Sequence, residues 1–99
     1  DIHARALREQ QVDGERLLQA TRAALDESGA TLLSAGETAA IEEEIAQLKS
    51  ALQVGSLKAL KLAIDRLNHA TAEFASRRMD LSIRQALKGH RIDEITAKF

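Results

Sequence analysis

The chain has 99 residues, with 14 basic and 15 acidic side chains, and this near balance (net charge −1) gives no long-range attraction for nucleic acid or anionic lipid. Cys is absent, which excludes disulfides, thiol chemistry and Cys-based metal sites, and there is no run of about 18 apolar residues to span a membrane. Apolar residues make up 44%, but Phe74 and Phe99 are the only aromatics, so the core has to be assembled from Leu, Ile and Ala, as suits closely packed helices.

Pro is absent and Gly occurs five times, which predicts long uninterrupted helices. Residues 1–28 read as one long helix. Its only interior breaker is Gly14, which costs about 1 kcal/mol there. Leu18, Thr21, Ala24 and Leu25 share a face at helical spacing, whereas Ile2, Ala6 and Leu7 are followed by the polar run Arg8, Glu9, Gln10 and Gln11. Half an apolar stripe implies half a partner, so residues 1–14 are expected to project from the bundle or to pack on something outside this chain. Gly29 fits a left-handed C′ residue ending this helix.

Leu32 and Leu33 are expected to tuck under the bundle. Ser34 and Glu37 then form a capping box, with Leu33 as a hydrophobic staple. A second helix over about 35–53 carries Ile41, Ile45, Leu48 and Leu52 on one stripe, with Glu42, Glu43 and Glu44 largely off it. Gly55 ends that helix and Ser56 starts the next, whose stripe is Leu57, Leu60, Ile64, Leu67, Thr71 and Phe74. No breaker falls between Ser56 and Lys88, so one helix of some 32 residues is allowed. The stripe shifts phase to Met79, Ile83 and Leu87, however, so a break near Arg77 to Asp80 is an alternative. Gly89 terminates the segment, and Ile92, Ile95 and Phe99 suggest a short last helix or docked tail. The short connections imply antiparallel neighbours. The fold class is thus all-α: a small antiparallel helical bundle with an elongated first helix, organised as a single unit over 1–99, with 1–28 the long helix and 29–99 the bundle.

Chemistry-bearing patterns are sparse. His3, His69 and His90 are far apart, with no HExxH and no Cys partner, so no metal site is expected and exposed histidines are. The serines include no Gly-x-Ser-x-Gly elbow, and Ser34 and Ser56 read as caps. Glu42 to Glu44 lie together on one helix surface rather than across a cleft. No catalytic residue and no cofactor-binding residue emerges. The stretch Arg77, Arg78, Arg84, Lys88, His90 and Arg91 is basic, with Asp80 against it. It lacks interleaved aromatics and any DNA-binding motif, and Arg84 and Lys88 suit the last turns of a helix.

The segment DGERLLQATRAALDES, residues 13–28, resembles the lid helix of the DnaK family of heat-shock chaperones. The segment FASRRMDLSIRQALKGHRIDEI, residues 74–95, resembles the C-terminal signature of the HscA branch of that family, which serves iron–sulfur cluster assembly. The resemblance covers essentially the whole chain, and RRMD…ALKGH…DE is its most specific part. It implies that residues 1–99 are a C-terminal lid subdomain without enzymatic activity. An upstream ATPase domain would hold ATP, and a β-sandwich would grip an extended client peptide. The lid closes on that sandwich with ADP and swings away with ATP.

The resemblance further implies that Glu15 and Gln19 are latch residues to outer loops of the sandwich. Leu17 and Leu18 would be apolar contacts to it, and Arg22 the basic position one turn on. DnaK has Asp and His at the two latch positions, so Glu15 and Gln19 would make a different latch. Gln19 cannot ionise, so no pH gating is expected there. The implied partners are the peptide-binding β-sandwich of the same parent chain and, indirectly, the client peptide or a scaffold protein, with no nucleic acid and no membrane. The expected location is the cytoplasm. A chain that starts at Asp1 and has Met79 as its only Met is expected to be a piece of something longer.

A competing reading is a free-standing helical interaction or oligomerisation module, a dimer through the exposed first helix that would bury Ile2, Leu7 and Leu17 against a second chain. A third, nucleic-acid binding through 77–91, would show steep salt dependence.

Overall fold

The computed structural model describes residues 2–88, and among these there is no strand. The chain runs through α1 (Ile2–Ala24), a π-helical turn (Leu25–Gly29), one α-helical turn α2 (Ala30–Leu32), α3 (Ala35–Val54) and α4 (Leu57–Lys88). The whole is flat and elongated, 59 × 33 × 17 Å.

The first helix does not stop at Gly29. Gly29 has φ −59° and ψ −47°, which is right-handed helix, and the chain leaves the helix only at Leu33, with φ −121° and ψ 144°. The reason is burial. Ser28 and Gly29 sit inside the structure, and the wide turn lets the helix take up one extra residue and still carry Leu32 and Leu33 to the core. Glycine tolerates a left-handed cap but does not require one.

The start of α3 is as expected. The Ser34 amide donates to Glu37 Oε1 at 3.0 Å, and the Glu37 amide donates to Ser34 Oγ at 3.1 Å. Leu33 packs against the core beside this cap. Gly55 ends α3 at φ 77°, a left-handed conformation that favours glycine, and its amide donates to the Ala51 carbonyl. Ser56 Oγ then accepts from the Ala59 amide at 3.3 Å, opening α4.

α4 is one helix of 32 residues, with no break near Arg77 to Asp80. The shift in stripe phase has another meaning. Met79, Ile83 and Leu87 are 67%, 53% and 53% exposed, so this part of α4 holds its conformation without burying an apolar face. The absence of Gly and Pro through Lys88 is enough for continuation once the helix is nucleated inside the bundle. Gly89, Ile92, Ile95 and Phe99 lie outside the described residues.

The core lies mainly between α3 and α4, built from Ile41, Ile45, Leu48 and Ala51 on one side and Leu60, Ala63, Leu67 and Phe74 on the other. α1 closes it with half-buried Leu7, Leu17, Leu18 and Ala24, with Leu25 following in the wide turn, and with Gly14 and Thr21 fully buried. Gly14 therefore has a structural role. A Cβ there would stand 3.3 Å from Leu52 Cδ2 and 3.5 Å from the Cδ1 atoms of Leu48 and Leu60, so a bare backbone lets α1 approach the other two helices closely. The expectation that residues 1–14 project is thus corrected. Ile2 is 88% exposed, but packing begins at Leu7 and reaches full burial at Gly14.

Candidate docking face on the first helix

Two opposite stripes divide α1. Leu7, Gly14, Thr21 and, in the π-helical turn, Ser28 recur every seven residues and face inward, the last three fully buried. Arg8, Val12, Glu15, Gln19 and Arg22 step by four, three, four and three residues and are all exposed. Residues at such spacing share one flank of a helix. Four of the five residues implied by the family resemblance therefore gather at one place. Glu15, Gln19 and Arg22 lie on the exposed stripe, and Leu18 sits at its edge, where it lines a shallow groove with Gln19, Arg22 and the α3 residues Ile45 and Lys49. Leu17 follows the other flank. Both leucines are half-buried and pack against the bundle's own core.

Arg22 already has a partner inside the chain. Its Nη1 lies 2.9 Å from Glu42 Oε1, and both side chains are 45% exposed. An ion pair this accessible is worth at most about 1 kcal/mol, so it orients Arg22 without withholding it from a stronger partner. Glu42 was legible in the sequence only as part of a solvated acidic run. Its pairing with a residue 20 positions earlier depends on the α1–α3 packing.

The helix that carries this face is braced from α4. Arg77 Nη1 donates to the Leu32 carbonyl at 2.9 Å and to Glu37 Oε1 at 3.0 Å, Nη2 meets Glu37 Oε2 at 2.9 Å, and Nε lies 3.4 Å from Glu73. One guanidinium thus holds the last carbonyl-bearing turn of α2 and the first turn of α3. Arg77 first, and then the Ser34 amide, hold the Glu37 carboxyl at about 2 against its ordinary 4.5. Arg78 lies 5.9 Å from the Phe74 ring centroid and donates to Glu27 Oε2 at 3.0 Å, tying α4 to the π-helical turn. Two cations of the basic stretch are therefore structural. His90 and Arg91 of that stretch lie outside the described residues.

His3 and His69 are exposed and far from any partner set. Among the described residues no three His, Cys, Asp or Glu side chains come together as metal ligands, and no helix is long and apolar enough to cross a membrane.

No family model matches the chain. Curated proteins do. The chain is 55% identical over 95 residues to a chaperone protein HscA homolog of Aromatoleum aromaticum, a match that covers 96% of the chain and 15% of that protein. It is 52% identical over 95 residues to a chaperone protein HscA homolog of Ralstonia nicotianae and 50% identical over 95 residues to chaperone protein HscA of Cronobacter sakazakii, with the same coverage of 96% and 15%. Half of all positions agree over nearly the entire chain, while the chain spans 15% of the length of these relatives. By sequence, the chain matches HscA-type chaperones over nearly its whole length and corresponds to a segment of them.

Proposed function

We propose that residues 1–99 form the lid subdomain of a chaperone's substrate-binding domain, closing over bound peptide under ATP/ADP control, in a chaperone that supports iron–sulfur cluster assembly. The observation that carries this reading is the 50–55% identity to HscA-type chaperones over 96% of the chain. The geometry agrees with it. A lid has to be stiff and has to hold its target through a few reversible polar contacts. α1 is braced along its inner flank by the bundle and offers Glu15, Gln19 and Arg22 on its outer one. The partner of that flank is the peptide-binding β-sandwich of the same parent chain, with the client engaged indirectly. ATP belongs to the parent's ATPase domain, this segment holds no cofactor of its own, and the location is the cytoplasm.

Hydrogen bonds to charged groups contribute roughly 1.5–3 kcal/mol each, enough to shift a closed–open equilibrium more than tenfold. In the full-length chaperone, Glu15→Ala combined with Gln19→Ala is expected to speed release of a labelled client peptide from the ADP state by about tenfold or more. An unchanged release rate refutes the latch.

A second reading, oligomerisation through exposed apolar surface, is favoured by the 67%, 53% and 53% exposure of Met79, Ile83 and Leu87 on α4. Of Ile2, Leu7 and Leu17, the residues first expected at such an interface, Leu7 and Leu17 pack on the chain's own core, and Ile2 is 88% exposed. Light scattering distinguishes the readings: a concentration-dependent dimer that Ile83→Ser abolishes supports the second.

A further inference from the structure

The far end of α4 carries an apolar stripe that the lid reading does not use. From Ser82 to Lys88 every residue is exposed. Met79, Ile83 and Leu87 recur every four residues, 67%, 53% and 53% exposed, and so share one side of the helix. Asp80, Arg84 and Lys88 each follow one position on, so a row of one acid and two bases borders the stripe. At its inner end the stripe meets a shallow groove lined by Ser28, Ala75, Met79 and Ser82, where the π-helical turn passes α4. An apolar stripe on an otherwise polar helix is ordinarily the face that the helix buries.

What covers it is written in the sequence that leaves α4. Residues 90–99, HRIDEITAKF, lie outside the described residues, and their sequence matches the stripe in three ways. Ile92, Ile95 and Phe99 stand three and four positions apart, the helical repeat. Laid antiparallel along α4 as a helix, Ile92 to Phe99 would span about 10 Å, against about 12 Å from Leu87 to Met79. Gly89, His90 and Arg91 leave three residues for the reversal, within the usual range between antiparallel helices. In this order Ile92 meets Leu87, Ile95 meets Ile83 and Phe99 meets Met79. The charges then agree as well: Asp93 and Glu94 come level with Arg84 and Lys88, and Lys98 with Asp80. A second copy of α4 fits less well. Laid antiparallel on the same stripe about Ile83, it brings Lys88 of each copy level with Arg78 of the other.

We infer that residues 90–99 fold back along α4 and cover Met79, Ile83 and Leu87, an intramolecular cap that keeps this stripe from pairing between copies. The inference does not rest on the lid reading. Three apolar side chains on one helix stripe make a shallow contact, so the cap opens and closes while the bundle stays folded.

Met79 reports from the stripe itself, because its thioether is oxidised by hydrogen peroxide only when peroxide reaches it. The test follows sulfoxide formation on the Met79 peptide of the full-length chaperone by mass spectrometry. Ile95→Asp with Phe99→Asp is expected to speed oxidation about threefold, which corresponds to about 0.65 kcal/mol and leaves global unfolding nearly unchanged. Asp93→Lys with Glu94→Lys should speed it too at low ionic strength, and adding Arg84→Glu with Lys88→Glu should restore the slow rate. A merely damaged fold shows no such rescue. Equal oxidation of Met79 in the unmodified protein and in Ile95→Asp with Phe99→Asp overturns the cap. Protection that appears only as protein concentration rises, together with a dimer in light scattering, also overturns it, because the cover is then a second copy. Failure of the charge swap to restore the slow rate overturns the antiparallel order.

Discussion

Arg77 on α4 and Glu37 on α3 face each other through two contacts, 3.0 Å from Nη1 to Oε1 and 2.9 Å from Nη2 to Oε2, although 40 residues separate them. The same Glu37 oxygen that meets Nη1 also accepts the Ser34 amide, so a helix cap and an interhelical ion pair share one carboxylate.

That shared carboxylate gives the fold an acid-sensitive joint. Glu37 ionises at about 2 when folded and at its ordinary 4.5 when released. A group with a depressed folded value stabilises the fold above its unfolded value and loses that contribution as pH falls toward the folded one. The thermal midpoint of the chain is expected to fall on acidification from about pH 4.5 to about pH 2, with part of that slope missing in Glu37→Gln. Superimposable pH profiles for the two proteins would count against the joint.

Removing the other half of the cap tests it at neutral pH. Ser34→Ala leaves the Glu37 amide without its side-chain acceptor and is expected to cost about 0.5–2 kcal/mol in urea unfolding. The Arg77 pair is untouched in that variant, so its acid slope should persist.

Gly14 should respond to side-chain size and not to helix propensity alone. Gly14→Ala exchanges a propensity gain of about 1 kcal/mol against a 3.3 Å approach to a flexible Leu52 methyl, and little net change is expected. Gly14→Leu has to push α1 away from Leu48 and Leu60 and is expected to cost about 1–3 kcal/mol or more. A Leu variant as stable as the Ala variant would mean that the helices do not meet there.

Along α4, two apolar residues of similar character should differ sharply. Leu67 is 0% exposed, and Leu67→Ala is expected to cost about 2–5 kcal/mol. Ile83 is 53% exposed, and Ile83→Ser should change monomer stability by no more than about 0.5 kcal/mol. Denaturant midpoints decide this, and a large loss in Ile83→Ser would place that residue in the packed core of the monomer.

The capping box at Ser34, the stop at Gly55 and the inward stripes Ile41, Ile45, Leu48 and Leu60, Leu67, Phe74 were all legible from spacing, because each depends on neighbours within one or two turns. Three features were not. The end of the first helix was misassigned to Gly29, since glycine allows a stop that burial then overrode. The inner flank of α1 was underestimated because Gly14 and Ser28 are small or polar and do not register as part of an apolar stripe. The Arg77 joint depends on chain segments 40 and 45 residues apart, which no local pattern encodes. At the candidate site, spacing alone aligns Glu15, Gln19 and Arg22. The roles assigned to them came from family likeness, and the placement of Leu17 on the other flank and of Glu42 against Arg22 came only from the packed helices.

The π-helical turn at Leu25–Gly29 has a rotational consequence. A surplus residue in a helix resets the heading of everything before it by about 100° relative to everything after. Deleting one residue between Leu25 and Gly29 would leave α1 just as helical while turning the line of Arg8, Val12, Glu15 and Gln19 about a quarter of a circle around the rod. That small irregularity therefore acts as an azimuth setting, clocking the outer flank of α1 against the three-way grip of Arg77 at the opposite end of the same helical path.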